Sequence, residues 1–319
     1  MTHQPFEPGN WRGRSDPEER GDTRRWYNEV SARVPDAAPG ICLLGFASDE
    51  GVKRNQGRPG AANGPREIRR ALGGLTWAHR GPCYDDGDVA CIKGNLEHAQ
   101  EELRLRLARR LREGHQTCVL GGGHEVAYPS FLGLSSSLPK AGGTPNIGII
   151  NFDAHLDLRN PRSGATSGTP FRQIAEHCDA QGWPFNYLAL GINPSVNTRA
   201  LFDYATDKQV RWVQDLEMVK AQAEIDRLVT RVDCLYVTVC MDVFPATVAP
   251  GVSAPAAVGV PVTDVLSTIR YIKRVATEKN CPVRHQDIAE LNPEFDRDGM
   301  TARLAARVVW ELLGSGEVS

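Results

Sequence analysis

No apolar stretch in this chain is long enough to cross a bilayer, and no apolar signal core stands near its N-terminus. A membrane-spanning or secreted protein is therefore not expected, and the expected compartment is the cytoplasm. The cysteines carry no cross-linking pattern. All eight stand singly, at 42, 83, 91, 118, 178, 234, 240 and 281, with no CxxC pair. They read as reduced thiols, most of them small core residues. An excess of one charge is also lacking: 37 Lys+Arg against 39 Asp+Glu leaves a net charge of −2. No global field favours nucleic acid or a membrane surface. Basic residues form only short clusters such as Arg109-Arg110, with no aromatics interleaved, so no nucleic-acid partner is expected. Internal repeats and low-complexity linkers are absent too. What remains is 319 residues, enough to bury a large core as one α/β domain or two smaller ones.

The richest stretch is NFDAHLD at 151–157. It follows a β-branched run at 146–150 that reads as a buried parallel strand. Asp153, His155 and Asp157 alternate with Ala154 and Leu156. If strand geometry persists, the three polar side chains point to one side. Two carboxylates and an imidazole at the end of a parallel strand outline a site for a hard cation. The plainer alternative is a solvated loop with a helix-capping acid.

In chain order, residues 1–38 are polar and rich in Pro, Gly, Arg and acids, with Trp11 and Trp26 as ring anchors. They read as an arm packed on the domain. A strand at 41–46 leads into a glycine-rich loop at 51–60 that carries Arg54 and Arg58. Pro65 is suited to open the helix that follows. Loops after parallel strands are where α/β enzymes place ligand contacts. An amphipathic helix at 99–112 and a strand at 117–120 precede GGGHE at 121–125, whose glycines let the backbone come close to a partner and aim His124. Further strands are expected at 187–192, 210–213 and 235–243, the last with Thr238, Cys240 and Asp242 on one face. A helix at 263–277, a strand at 287–293 with Glu290 near its end, and a helix at 301–313 complete the chain. Strands alternating with helices predict a three-layer α/β/α domain around a mostly parallel sheet.

GGGHE, NFDAHLD, the strand ending in Asp242, PGVSAP at 250–255 and DIAELNP at 287–293 together resemble the ureohydrolase family of arginases, agmatinases and formimidoylglutamases. Within it, GRPGAANGP at 57–65, SGTPFRQ at 167–173, APGVSAPAA at 249–257 and the Trp11-containing segment at 11–19 are most similar to formimidoylglutamases. The resemblance covers nearly all of the chain past residue 40. It implies an arginase-like fold, with residues 39–319 as a single catalytic domain.

The resemblance also implies two manganese ions. His124, Asp153, Asp157 and Cys240 would hold one. Asp153, His155, Cys240 and Asp242 would hold the other. Two cations sharing a water lower its pKa enough to supply hydroxide near neutral pH, for attack on an amidine carbon. Asp157 becomes the expected proton relay, and Glu290 the carboxylate that pairs with the amidinium. The implied reaction is hydrolysis of N-formimidoyl-L-glutamate to L-glutamate and formamide, a histidine-catabolism step. Arg54, Arg58 and Arg172 are candidates to hold the two substrate carboxylates. A homo-oligomer is the expected assembly.

Two positions depart from the family pattern. Phe171 stands where arginases carry a histidine. Cys240 stands where the family has the first Asp of Asp-x-Asp, and a thiolate is a softer ligand that cannot bridge through two oxygens. These departures keep two other readings open: a guanidino-acid hydrolase that releases urea, and a catalytically silent metal-binding homologue.

Overall fold

The computed structural model describes residues 2–138 and 144–314. Residues 139–143 and 315–319 of the expected catalytic unit lie outside the described part. The strands are β1 (His3–Gln4), β2 (Val30–Ala32), β3 (Ile41–Ala47), β4 (Cys83–Ala90) and β5 (Gln116–Leu120). They continue with β6 (Ile147–Phe152), β7 (Asn186–Ile192), β8 (Arg211–Gln214), β9 (Cys234–Cys240) and β10 (Val283–Ala289). One sheet runs in the order β1-β4-β3-β5-β10-β9-β6-β7-β8, with β2 also paired to β4. Only the β1–β4 pairing is antiparallel among the described strands.

The central strands are apolar on both faces because both faces are covered. Every residue of β6 and β9 is buried. Leu235, Val237 and Val239 of β9 join one apolar cluster, while Cys234 and Tyr236 join another on the opposite face. Helices Gly64–Gly73, Ala221–Val229, Val262–Glu278 and Met300–Leu313 pack on the first face. Leu96–Arg112, Ala127–Ser137 and Pro170–Gln181 pack on the second. This is the three-layer arrangement expected from the sequence.

Helix Val262–Glu278 shows how one covering element is specified. Val265, Ile269, Ile272 and Val275 recur at helical spacing and are all buried. Each contributes about 1.5–3 kcal/mol through burial. Asn280, at φ 53°, and Pro282 end the helix and turn the chain into β10.

Strand β4 is the main element that hydrophobic patterning misses. Its sequence, CYDDGDVA, holds three acids. Asp85 is nevertheless buried, because Arg69 grips it with Nε at 2.8 Å and Nη2 at 2.9 Å. Trp11 Nε1 donates to the same carboxylate at 2.9 Å. A paired buried carboxylate is tolerated where a lone one is not. Trp11 and Trp26 are both buried, and β1 extends the sheet beyond β4.

Three local paths differ from the sequence reading. Part of the expected loop at 51–60 is a short helix, Glu50–Arg54. Strand β9 stops at Cys240, and Asp242 sits in a one-turn 3₁₀ helix, Met241–Val243. Strand β10 stops at Ala289, and Glu290 follows with φ 69°.

Candidate metal centre

Four neighbouring parallel strands, β5, β10, β9 and β6, bring their C-terminal ends to one edge of the sheet. Each delivers candidate site residues there: His124 after β5, Glu290 after β10, Cys240 and Asp242 at the end of β9, and Asp153, His155 and Asp157 after β6. The common edge follows from the parallel topology.

The Asp153–Asp157 stretch does not stay extended. It leaves the strand at Phe152, and Asp157 has a left-handed backbone at φ 48°. The side chains converge through a fixed loop, not through strand alternation as the sequence suggested. Asn197, which the sequence reading did not single out, holds that loop: its Oδ1 accepts from Leu156 N at 2.9 Å and its Nδ2 donates to Ala154 O at 2.9 Å. Asn151 and Tyr187 brace it from below. Asn151 Nδ2 donates to Asp153 Oδ2 at 3.2 Å, and Tyr187 Oη donates to Leu156 O at 3.1 Å.

The GGGHE loop needs glycine at its second position. A Cβ on Gly122 would lie 1.8 Å from Ser48 O. Glu290 ties this loop to β10: its N–H donates to Gly122 O at 2.8 Å, and its Oε1 accepts from His124 N at 2.9 Å.

The donor atoms form two overlapping sets. Ligand atoms of His124, Asp153 and Cys240 lie within 4.8 Å of one another, as do those of Asp153, His155 and Asp242. Asp153 belongs to both. His124 Nδ1 is 2.9 Å from Asp153 Oδ2 and 3.0 Å from Asp157 Oδ2, yet it makes no aligned hydrogen bond with either. His155 Nδ1 is 3.2 Å from Asp242 Oδ2. Asp242 Oδ1 is also buried without a partner. Crowded, misaligned donors of carboxylate and imidazole type suit cations set between them.

The electrostatics agree. Burial pushes the Asp157 carboxyl up, and the adjacent Asp153 adds to it, reaching about 6. Burial and the Asp153 charge raise Asp242 as well. Burial raises the Cys240 thiol well above its usual value, helped by Asp153, Asp242 and Glu290. Burial opposes protonation of His155, but Asp242 and Asp153 overcome it and push its pKa up to about 12. These acids repel one another and share only two imidazoles. Positive charge placed among them relieves both strains.

A cavity of about 310 Å³ opens over the cluster. Arg58 lines it, but its Nε donates to Ser253 O at 3.0 Å and its plane lies over Phe295, so it also pins the loop that carries PGVSAP. Arg54 and Arg172 do not line it. Arg54 is committed to Glu50, Glu97 and Gly94 O, and Arg172 pairs with Glu176 and stacks on Tyr204 at 4.2 Å. Their loops looked ligand-facing in sequence, but helical acids one turn away draw both side chains aside. Arg159, overlooked in the sequence, does line the cavity, is exposed and has no side-chain partner among the described residues. Its position two residues past the last acid of DAHLD was the available signal. Phe171 is buried, stacked on Tyr187 at 4.4 Å and edge-on to His124 at 5.3 Å. It backs the centre and offers no proton-transfer group.

The arginase family model matches residues 39–314. The chain belongs to the arginase family. Its relatives include the formimidoylglutamase of Aeromonas hydrophila, 46% identical with 97% of this chain and 98% of the relative covered. The formimidoylglutamase of Photobacterium profundum is 43% identical, with 95% and 93% covered. Among solved structures, Trypanosoma cruzi formiminoglutamase with Mn²⁺ superposes with a TM-score of 0.78 at 28% identity, covering 92% of this chain and 98% of that one. The fold is arginase-like.

Proposed function

We propose that this enzyme hydrolyses N-formimidoyl-L-glutamate to L-glutamate and formamide at a centre of two Mn²⁺ ions. Full-length similarity to formimidoylglutamases supports the substrate. The observation that carries the centre is the pair of donor sets sharing Asp153. His124, Asp153, Asp157 and Cys240 would hold one ion, and Asp153, His155, Cys240 and Asp242 the other. When bound, the ions supply a strong nucleophile from water near neutral pH and offset developing negative charge.

The chain's own groups do the rest. Asp157, which would lie beside the ions, is suited to take a proton and return it to the leaving amine. Glu290 lines the cavity and keeps Oε2 unpartnered while Oε1 is bonded to His124 N. That free oxygen is suited to pair with the amidinium and fix its carbon. Arg159 takes one substrate carboxylate at the cavity wall, with Arg58 as a secondary contact. Arg54 and Arg172 are left out of this assignment.

The compartment proposed is the cytoplasm, supported by eight unpaired cysteines, all but Cys91 buried. No helix among the described residues is long and apolar enough to cross a membrane. Residues 1–38 are proposed as an arm on the catalytic unit 39–319. A metal-supplemented assay over a panel of amidines and guanidino acids tests the function. Formamide release from the formimidoyl substrate supports it. Urea release from a guanidino acid as the preferred reaction overturns it.

A further inference from the structure

The two donor sets that share Asp153 are not alike. On one side stand the ring of His124 and the sulfur of Cys240, with ligand atoms within 4.8 Å of one another and of Asp153. Asp157 Oδ2 approaches His124 Nδ1 at 3.0 Å on the same side. On the other side stand His155 and Asp242, and no sulfur belongs to that set. The end of β9 accounts for the difference. Cys240 is the last residue of the strand and still pairs in register with Ala289 of β10. Asp242 comes only after the chain has turned into the one-turn helix Met241–Val243, which brings its carboxylate to 3.2 Å from His155 Nδ1. The sulfur stays with His124, and the carboxylate goes to His155.

The sides also differ in their access to water. His124, Cys240 and Asp153 are buried, and Phe171 stands edge-on to the His124 ring at 5.3 Å. The His155 side chain is 27% exposed and lines the cavity. A cation beside His155 can complete an oxygen-rich shell with water. A cation beside His124 relies more on the donors of the chain: an imidazole, a sulfur and carboxylate oxygens. Mn²⁺ suits oxygen donors in octahedral number, whereas thiolate with imidazole in a smaller shell suits Zn²⁺.

We propose that the centre is asymmetric: the position formed by His124, Cys240 and Asp153 selects a thiolate-binding divalent cation of the Zn²⁺ type over Mn²⁺, and the position formed by Asp153, His155 and Asp242 is the one suited to Mn²⁺. The thiol proton leaves to solvent as the metal–sulfur bond forms. With Mn²⁺ alone supplied, that ion fills both positions, the first one weakly. The inference rests on the metal-centre reading above and concerns one of the two ions.

The test uses the full chain stripped of metal, with Zn²⁺ and Mn²⁺ as the probes and no substrate. One equivalent of Zn²⁺ should give an X-ray absorption spectrum with a sulfur shell at about 2.3 Å. Mn²⁺ added next should show the paramagnetic resonance spectrum of an isolated ion, without the exchange coupling of a manganese pair. Zn²⁺ binds more tightly than Mn²⁺ at most sites of nitrogen and oxygen donors, so the comparison with Cys240→Asp carries the selectivity. That variant should lose the sulfur shell, and its preference for Zn²⁺ over Mn²⁺ at this position should fall about tenfold or more. Cys240→Ser should lose the shell as well, which shows that the sulfur belongs to Cys240 and keeps the test decisive if the added carboxylate disturbs the strand. A sulfur-free spectrum in the wild type, or an unchanged preference in the two variants, would overturn the inference and leave a centre of nitrogen and oxygen donors standing. A wild type that bound neither cation would overturn the metal-centre reading and the inference with it.

Discussion

Glu290 accepts the main-chain N–H of His124 at 2.9 Å through one oxygen and leaves the other buried and unpartnered beside the cavity. Burial raises its carboxyl well above the usual value, with Glu125 and Asp242 adding to the effect. A cationic substrate group would stabilise the ionised form. Glu290→Gln keeps the size and the bond to His124 but removes the charge. It should lower kcat/KM by about 10²-fold or more, with metal content unchanged. Steady-state kinetics beside metal analysis checks this, and a near-wild-type rate would remove Glu290 from substrate binding.

Cys240 supplies its sulfur to the same donor set as His124 and Asp153. Its buried thiol is hard to ionise, so a cation must displace the proton, and uptake should strengthen as pH rises. Purified protein should hold less than two equivalents of manganese and gain activity on adding Mn²⁺. Cys240→Asp should tighten binding and reduce that dependence, whereas Cys240→Ser should stay weakly active. Metal titrated against activity for the three proteins at one pH decides the matter. Two tightly held ions in the wild type, with no change in Cys240→Asp, would show that the thiol does not weaken the site.

Arg159 lines the cavity wall and has no side-chain partner among the described residues. Arg159→Ala should raise KM for a dicarboxylate amidine about 10–100-fold, the effect of losing a charged hydrogen bond. Arg54→Ala and Arg172→Ala should stay within about twofold, since both arginines are engaged by glutamates outside the cavity. A larger loss from Arg54 or Arg172 than from Arg159 would reverse the assignment.

Glu125 gives a pH signature of stability. Burial raises its carboxyl to about 7, while Oε1 accepts from Gly51 N and Ser48 Oγ. The folded state therefore keeps a proton that the unfolded state releases near 4.5. This group's contribution is therefore fully present below about 4.5 and is lost as pH rises through about 7, by roughly 3 kcal/mol. Glu125→Gln should remove that slope and be more stable relative to wild type at pH 8 than at pH 5. Denaturant unfolding of both proteins in a chelator, at both pH values, checks it. An identical slope in the two proteins would contradict the assignment.

The sheet and its covering helices were legible in the sequence because parallel strands need apolar runs and deliver their next residues to one edge. The same logic made His124 and the acids of DAHLD candidates for a site at that edge. Strand β4 was not legible, because Asp85 is made compatible with burial by Arg69, which is distant in sequence. The path of Asp153–Asp157 was misread for a similar reason: Asn197, some forty residues on, holds it. Arg54 and Arg172 looked available because a linear pattern does not show which way a helical acid will pull them.

The cluster sharing Asp153 is proposed to hold the metal needed for hydrolysis of N-formimidoyl-L-glutamate. The most direct measurement follows formamide and glutamate by proton NMR in wild type and Asp153→Ala side by side, both supplied with Mn²⁺ and both assayed for bound metal. The wild type should give equimolar formamide and glutamate, and Asp153→Ala should lose turnover together with most bound metal. Full activity in the variant, or in wild type stripped of metal, would contradict it.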